Sequence, residues 1–187
     1  MSILDKMISN EQIDARRNLY RAVFKFNPVK RIVSFCQNPY DPTESDVDYF
    51  LSFPVIYFSF VYCIKNNKFN HCSLRVAFGS GKGKTKKPRD IYFANLPNVF
   101  SDLHICLGQI FQISYSSLEE LAQAMIEQFW AAQFNSYFIN RHRRKDDVFQ
   151  SLESWAEKTK NSPKWIPSSK DMKKITQKTY RNYFNLK

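Results

Sequence analysis

Two apolar runs separated by a pair of asparagines constrain this chain more than any other feature. Residues 53–64 read Phe-Pro-Val-Ile-Tyr-Phe-Ser-Phe-Val-Tyr-Cys-Ile, and β-branched and aromatic side chains at that density suit a strand packed on at least one face. Asn66-Asn67 supplies a turn. Cys72-Ser-Leu-Arg-Val-Ala-Phe78 then alternates, so that Leu74, Val76 and Phe78 share one face of a returning antiparallel strand. Asp90-Ile-Tyr-Phe-Ala94 offers a third, short strand. So apolar a hairpin must be covered, and the cover is legible downstream. From Ser116-x-x-Glu119, a capping-box pattern, Leu118, Leu121, Ala122, Met125, Ile126, Phe129 and Trp130 recur at helical spacing. The expected class is α+β: an antiparallel meander of three to four strands packed against helices.

The two ends read differently. Ser9-x-x-Gln12 followed by Ile13, Arg16, Arg17, Leu19, Tyr20, Val23 and Phe24 predicts a helix over 10–25 with an imperfect stripe. Pro28 interrupts it, and Arg31–Cys36 reads as a strand before the turn-rich Asn38-Pro-Tyr-Asp-Pro42. Past residue 140, Val148, Leu152, Trp155 and Ala156 predict another helix. Pro163 and Pro167 break the chain, and Ser168 opens a last amphipathic, Lys-rich segment. With 187 residues, 43% of them hydrophobic, the chain suits one main domain and an appendage. The expected division is an N-terminal helix and lead-in over 1–50, a core over 51–140, and a basic helical extension over 141–187.

The net charge of +11 is unevenly placed. Residues 82–89 carry five basic side chains and no acid, residues 90–140 carry five acids and no Lys or Arg, and residues 141–187 carry thirteen basic and five acidic side chains. No run of about 18 apolar residues is present, and the N-terminus lacks the pattern of a signal peptide. The expectation is a soluble, cytoplasmic protein without membrane association. Cys36, Cys63, Cys72 and Cys106 include no Cys-x-x-Cys pair and no zinc-ligand spacing, so free thiols are expected. Cys63 and Cys72 are expected opposite each other across the hairpin, where packing is their plainer role. Gly79-Ser-Gly-Lys-Gly-Lys-Thr85 misses the phosphate-loop pattern because Phe78 stands where its first glycine belongs.

The segment that carries chemistry is 96–107, Leu-Pro-Asn-Val-Phe-Ser-Asp-Leu-His-Ile-Cys-Leu. It resembles the His-Pro-Asn-x6-Ile-Cys-Leu active-site segment of ubiquitin-conjugating enzymes, with the same spacing from Pro-Asn to Cys, after meander strands and before an amphipathic helix. It is also similar to a prokaryotic branch, protein B of plasmid-borne PRTRC systems, through Asn98-Val99, Cys106-Leu-Gly108 and Phe129-Trp-Ala-Ala-Gln-Phe134. The resemblance covers about residues 50–140. It implies a conjugating-enzyme fold in which Cys106 accepts a ubiquitin-like modifier of β-grasp type as a thioester from a ThiF-like activating enzyme, then passes it to an amine. Cysteine suits both steps, attacking as thiolate and leaving readily. The resemblance assigns Asn98 to the developing oxyanion or to the loop that orders it. Leu96 replaces the family histidine, and Gly108 stands where an acid is common. No cofactor is implied at this step, because the activating enzyme spends the ATP.

Spacing adds two candidates. His104 lies two residues before Cys106, on the same side of an extended chain, and is a candidate to deprotonate a thiol or an amine. Asp102 is a candidate to orient the amine. A different reading treats the chain as a catalytically silent scaffold that binds nucleic acid through Lys82, Lys84, Lys86, Lys87, Arg141, Arg143, Arg144 and Lys145, with aromatics interleaved in the tail.

Overall fold

The computed structural model describes residues 4–36, 46–79, 90–107, 114–132, 134–135, 151–176 and 183–184. In chain order the elements are β1 (Met7–Asp14), β2 (Leu19–Phe26), β3 (Val29–Cys36), β4 (Val47–Phe53), β5 (Val55–Lys65), β6 (Lys68–Gly79), β7 (Ile91–Phe93), β8 (Ser114–Tyr115), α1 (Leu118–Ala131), β9 (Phe134–Asn135) and α2 (Leu152–Asn161). The architecture is α+β.

The hairpin legible in the sequence, β5–β6, is the centre of the larger sheet. It runs from Val55 opposite Gly79 to Lys65 opposite Lys68. Asn66 and Asn67 have φ of 51° and 55°, the left-handed pair of a two-residue hairpin turn, which asparagine tolerates better than most residues. The sheet is wider than the expected meander: its order is β1-β2-β5-β6-β7, with β8 also on β6.

The helix expected over 10–25 is not formed. Those residues belong to the antiparallel pair β1 and β2, joined through Asn18 at φ 52°. The physical reason lies in β5. Buried along nearly its whole length, β5 needs a second apolar neighbour, and β2 supplies one over eight paired residues, from Leu19 opposite Cys63 to Phe26 opposite Ile56. Leu19–Phe26 is itself aromatic and β-branched, so it fits a pleated surface, and a weak local capping signal loses to that pairing. Tyr20 stacks on Tyr62 with ring centroids 5.4 Å apart. The strand expected over 31–36 is present as β3.

β3, β4 and β9 make a second, three-stranded sheet, with β4 at its edge. Helix α2 covers that edge with side chains rather than with another strand. Thr159 Oγ1 accepts from the Ser52 backbone N–H at 3.1 Å, and Trp155 Nε1 donates to the Ser52 carbonyl at 3.0 Å. An edge strand satisfied in this way offers less template for pairing with another chain. Trp155 is fully buried, edge-on to Phe53 at 5.1 Å.

Helix α1 buries Leu118, Leu121, Ala122, Met125, Ile126 and Phe129, as its periodicity predicts. Its cap sits one residue later than expected. Ser117 accepts from the Glu120 N–H at 3.1 Å, while the Glu120 carboxylate reaches back to the Ser116 N–H at 2.9 Å. Between the large sheet, the small sheet and the two helices lies the main core. It includes Phe24, Phe58, Phe60, Phe78, Phe129, Phe134 and Trp155. Residues from all three segments drawn on the sequence share this core.

The stretch after Ser168 departs from expectation at its start. Residues 168–176 form no helix, whereas Tyr183 is helical, and residues 177–182 lie outside the described residues. Instead residues 173–175 lie along the outer edge of β7, where Phe93 N–H donates to Lys173 O at 2.9 Å and Ile175 N–H to Ile91 O at 3.0 Å. Ile175 and Phe184 then close the opposite face of the large sheet, packed with Val23, Val55, Tyr57, Ala77, Ile91 and Leu103. A strand-edge strap needs no 3.6-residue stripe, because its hydrogen bonds come from β7 rather than from itself. Among the described residues, no helix is long and apolar enough to cross a membrane.

Candidate active site

After β6 the chain returns along the same edge in three steps. β7 pairs with residues 77–79, His104 bridges to Arg75, and β8 pairs with residues 69–70. The middle step is fixed by Val76 N–H donating to Leu103 O and Ile105 N–H donating to Leu74 O, both at 3.0 Å. Cys106 therefore emerges from the edge of the large sheet, held by the strand that the sequence marks most clearly.

Residues 96–106 form a compact turn-and-hairpin. Val99 N–H donates to Leu96 O at 3.0 Å, closing a turn in which Pro97 presets φ at the second position and Asn98 occupies the third. Val99 then pairs with Ile105, Phe100 N–H donates to His104 O at 2.8 Å, and Cys106 N–H donates to Asn98 O at 2.7 Å. Asn98 and Cys106 are thus cross-strand neighbours. The tip is made by Leu103 at φ 70°, a conformation that costs a non-glycine residue roughly 1 kcal/mol. Burial of the Leu103 side chain in the second core offsets that cost. Beyond the cysteine, Gln128 of α1 donates to the Leu107 carbonyl at 3.1 Å, so the core helix also anchors the site.

The chemistry of the pair is unusual for a packed interior. Cys106 is half-buried, whereas Asn98 is 4% exposed. Among the described residues, neither Nδ2 nor Oδ1 of Asn98 has a hydrogen-bond partner. A buried amide left unpaired costs about 1–3 kcal/mol, and natural proteins rarely carry one without a use for it. Leu96, at the position of the family histidine, is buried in the main core, so loop anchoring there is apolar.

Asp102 and His104 are brought together by the tip. One carboxylate oxygen of Asp102 accepts from the His104 backbone N–H at 3.2 Å, and the other lies 3.0 Å from His104 Nδ1. Partial burial alone would raise the Asp102 pKa, but the His104 ring, its backbone N–H and the charge of Arg75 outweigh burial and lower it. Ile105 points into the main core, so its neighbours His104 and Cys106 share the other side of this short extended stretch.

Two residues that the sequence reading did not single out also shape the site. Arg75, opposite His104, holds its guanidinium 4.2 Å from the Tyr183 ring centroid and donates to Ser73 Oγ at 3.2 Å. Burial lowers its pKa, opposed by Tyr183 and Asp102, with Arg21 adding to the lowering. His71 is pushed down to about 4 by burial and by its proximity to His104, so it is neutral at pH 7. The one sequence signal for Arg75 was a charge inside an otherwise apolar alternating strand.

The remaining cysteines are of a different kind. Cys36 and Cys63 are buried, but a bulge in β6 sets Cys63 opposite Asn70 rather than Cys72, and Cys72 is an exposed residue whose thiol is raised to about 11 by partial burial and by its hydrogen bond to Cys63. A thiol so protonated is a poor nucleophile. All four are free. No group of three or more His, Cys, Asp or Glu among the described residues is arranged to hold a metal ion. The polyanion-binding candidates Lys82, Lys84, Lys86, Lys87, Arg141, Arg143, Arg144 and Lys145 lie outside the described residues, as does Gly108.

Nothing among curated proteins or solved structures matches the chain. A family model described as prokaryotic E2 family D matches residues 7–171, from the first strand of the large sheet to the segment before the strap. A match over that span takes in both sheets, both helices and the Asn98–Cys106 hairpin, and the chain belongs to prokaryotic E2 family D.

Proposed function

We propose that this E2-like protein carries the carboxyl terminus of a ubiquitin-like, β-grasp modifier as a thioester on Cys106 and transfers it to an amine. The observation that carries the reading is the pairing of Cys106 with Asn98, whose buried side-chain amide has no partner among the described residues. When an acyl group on the Cys106 sulfur is attacked, its carbonyl oxygen becomes an oxyanion. A side-chain amide on the residue paired with Cys106, with no competing acceptor among the described residues, is available to receive it. Family membership supports the corresponding partners, a ThiF-like activating enzyme and the modifier itself. The similarity of Asn98-Val99 and Cys106-Leu-Gly108 to protein B of PRTRC systems supports a plasmid-borne setting for that partnership.

The test uses the purified full chain with its modifier, activating enzyme and ATP. The wild type forms an adduct that thiol reductants cleave, Cys106→Ser forms a thiol-resistant oxyester or none, and Cys106→Ala forms none. An adduct that persists unchanged in Cys106→Ala defeats the reading.

A further inference from the structure

Resting on Cys106 as the carrier, we infer that Asp102 and His104 form a base pair for the discharge step, in which His104 takes the proton of the incoming amine and Asp102 positions its ring. Three placements support this. First, Asp102 is fixed by two contacts to the same residue, the His104 backbone N–H at 3.2 Å and Nδ1 at 3.0 Å. A carboxylate at Nδ1 selects the tautomer with its proton on that nitrogen, which leaves Nε2 as the acceptor. Second, the alternation about the core-facing Ile105 puts His104 on the same side of the chain as Cys106. Third, the His104 side chain is 35% exposed and that of Asp102 is 48% exposed. The pair is therefore open to an amine arriving from solvent, as a base for an external substrate must be.

The groups facing His104 are Asp102 on its own hairpin and, from β6, Arg75 directly opposite and His71 nearby. Arg75 is in turn faced by Tyr183 and Arg21. His71, neutral at pH 7, adds no second positive charge to this side of the site. In the step itself the amine nitrogen attacks the thioester carbonyl and forms the new C–N bond, while its proton passes to Nε2 of His104. The C–S bond then breaks, and the Cys106 sulfur leaves with the electron pair and takes up that proton. The products are an amide and a free thiol, with no further reactant.

The experiment loads the full chain with a small probe, the mercaptoethanesulfonate thioester of Gly-Gly, and then follows discharge onto free lysine across pH. With loading equal to wild type, His104→Gln is expected to slow discharge about 10²-fold at neutral pH and to flatten the limb of the pH profile contributed by the imidazole. Asp102→Asn keeps an acceptor for the backbone N–H but loses the charge, so it should slow discharge about 10-fold, and Asp102→Glu should restore part of it. Normal loading with wild-type discharge and an unchanged pH profile in His104→Gln overturns the base pair and leaves the Cys106 reading standing. A wild-type chain that cannot be loaded on Cys106, while a cysteine-containing peptide loads in the same mixture, overturns both.

Discussion

The two faces of the large sheet are closed by different means. One face packs against α1, α2 and the small sheet, through large aromatics such as Phe58, Phe129 and Trp155. The other is closed by a smaller cluster in which Leu103, at the tip of the candidate-site hairpin, the strap residue Ile175 and Phe184 are three of eight buried members. The first face is a stability core built from elements with their own periodicity. The second joins the C-terminal strap to the hairpin that carries Asn98 and Cys106, with Arg21 and Arg75 beside it. Aromatic burial anchors one side of β6, while the site is assembled on its edge and second face.

The largest test of that contrast is Trp155→Ala, which removes a fully buried ring and its hydrogen bond to the β4 edge. Equilibrium denaturation should show a loss of about 3–5 kcal/mol. Phe184→Ala, on the second face, removes a buried ring from a smaller cluster and should cost about 3 kcal/mol. The comparison fails if Phe184→Ala unfolds the chain more readily than Trp155→Ala does. Acid should act more gently and through His71. Its folded pKa of about 4 lies below the usual 6.5, so the unfolded chain binds the proton first as pH falls. Stability is then complete above about pH 6.5 and declines down to about pH 4. The decline is about 2 kcal/mol once partial solvent screening is allowed for, and a His71→Asn variant measured over the same range should lack it. The smallest stability effect belongs to Asn98→Ala. Removing an unpartnered buried amide should change stability by no more than about 0.5 kcal/mol, or raise it, while thioester discharge falls about 10²-fold. A large destabilisation without a rate effect would make Asn98 a structural residue.

The parts of the fold that were legible carry their own pattern. The β5–β6 hairpin announces itself by composition and by Asn66-Asn67, and α1 by seven apolar positions at helical spacing. Helix α2 was visible from Leu152, Trp155 and Ala156. Residues 10–25 misled because a plausible cap and an approximate stripe cannot report that β5 needs a neighbour. Residues 173–175 were not legible for the same reason, since β7 supplies their pairing. In the candidate site, the Pro-Asn-to-Cys spacing singled out Cys106 and Asn98, and the two-residue interval singled out His104. Nothing in the spacing disclosed that Asn98 and Cys106 lie across a hairpin, that Leu103 adopts a left-handed backbone, or that Arg75 faces His104.

The sequence by itself determined the strongest hairpin, its covering helix, the free-thiol chemistry and the candidate nucleophile, because each follows from residue types at short separation. Only the tertiary structure decided which face of the sheet each end of the chain would close. It also decided that Asn98, paired with Cys106 across the hairpin, would be buried without a partner among the described residues, and that Asp102 would hold the His104 ring. Those outcomes depend on pairings between distant segments, β2 with β5, 103–105 with β6, and 173–175 with β7, where the hydrogen-bonding partner is set by what the rest of the sheet leaves open.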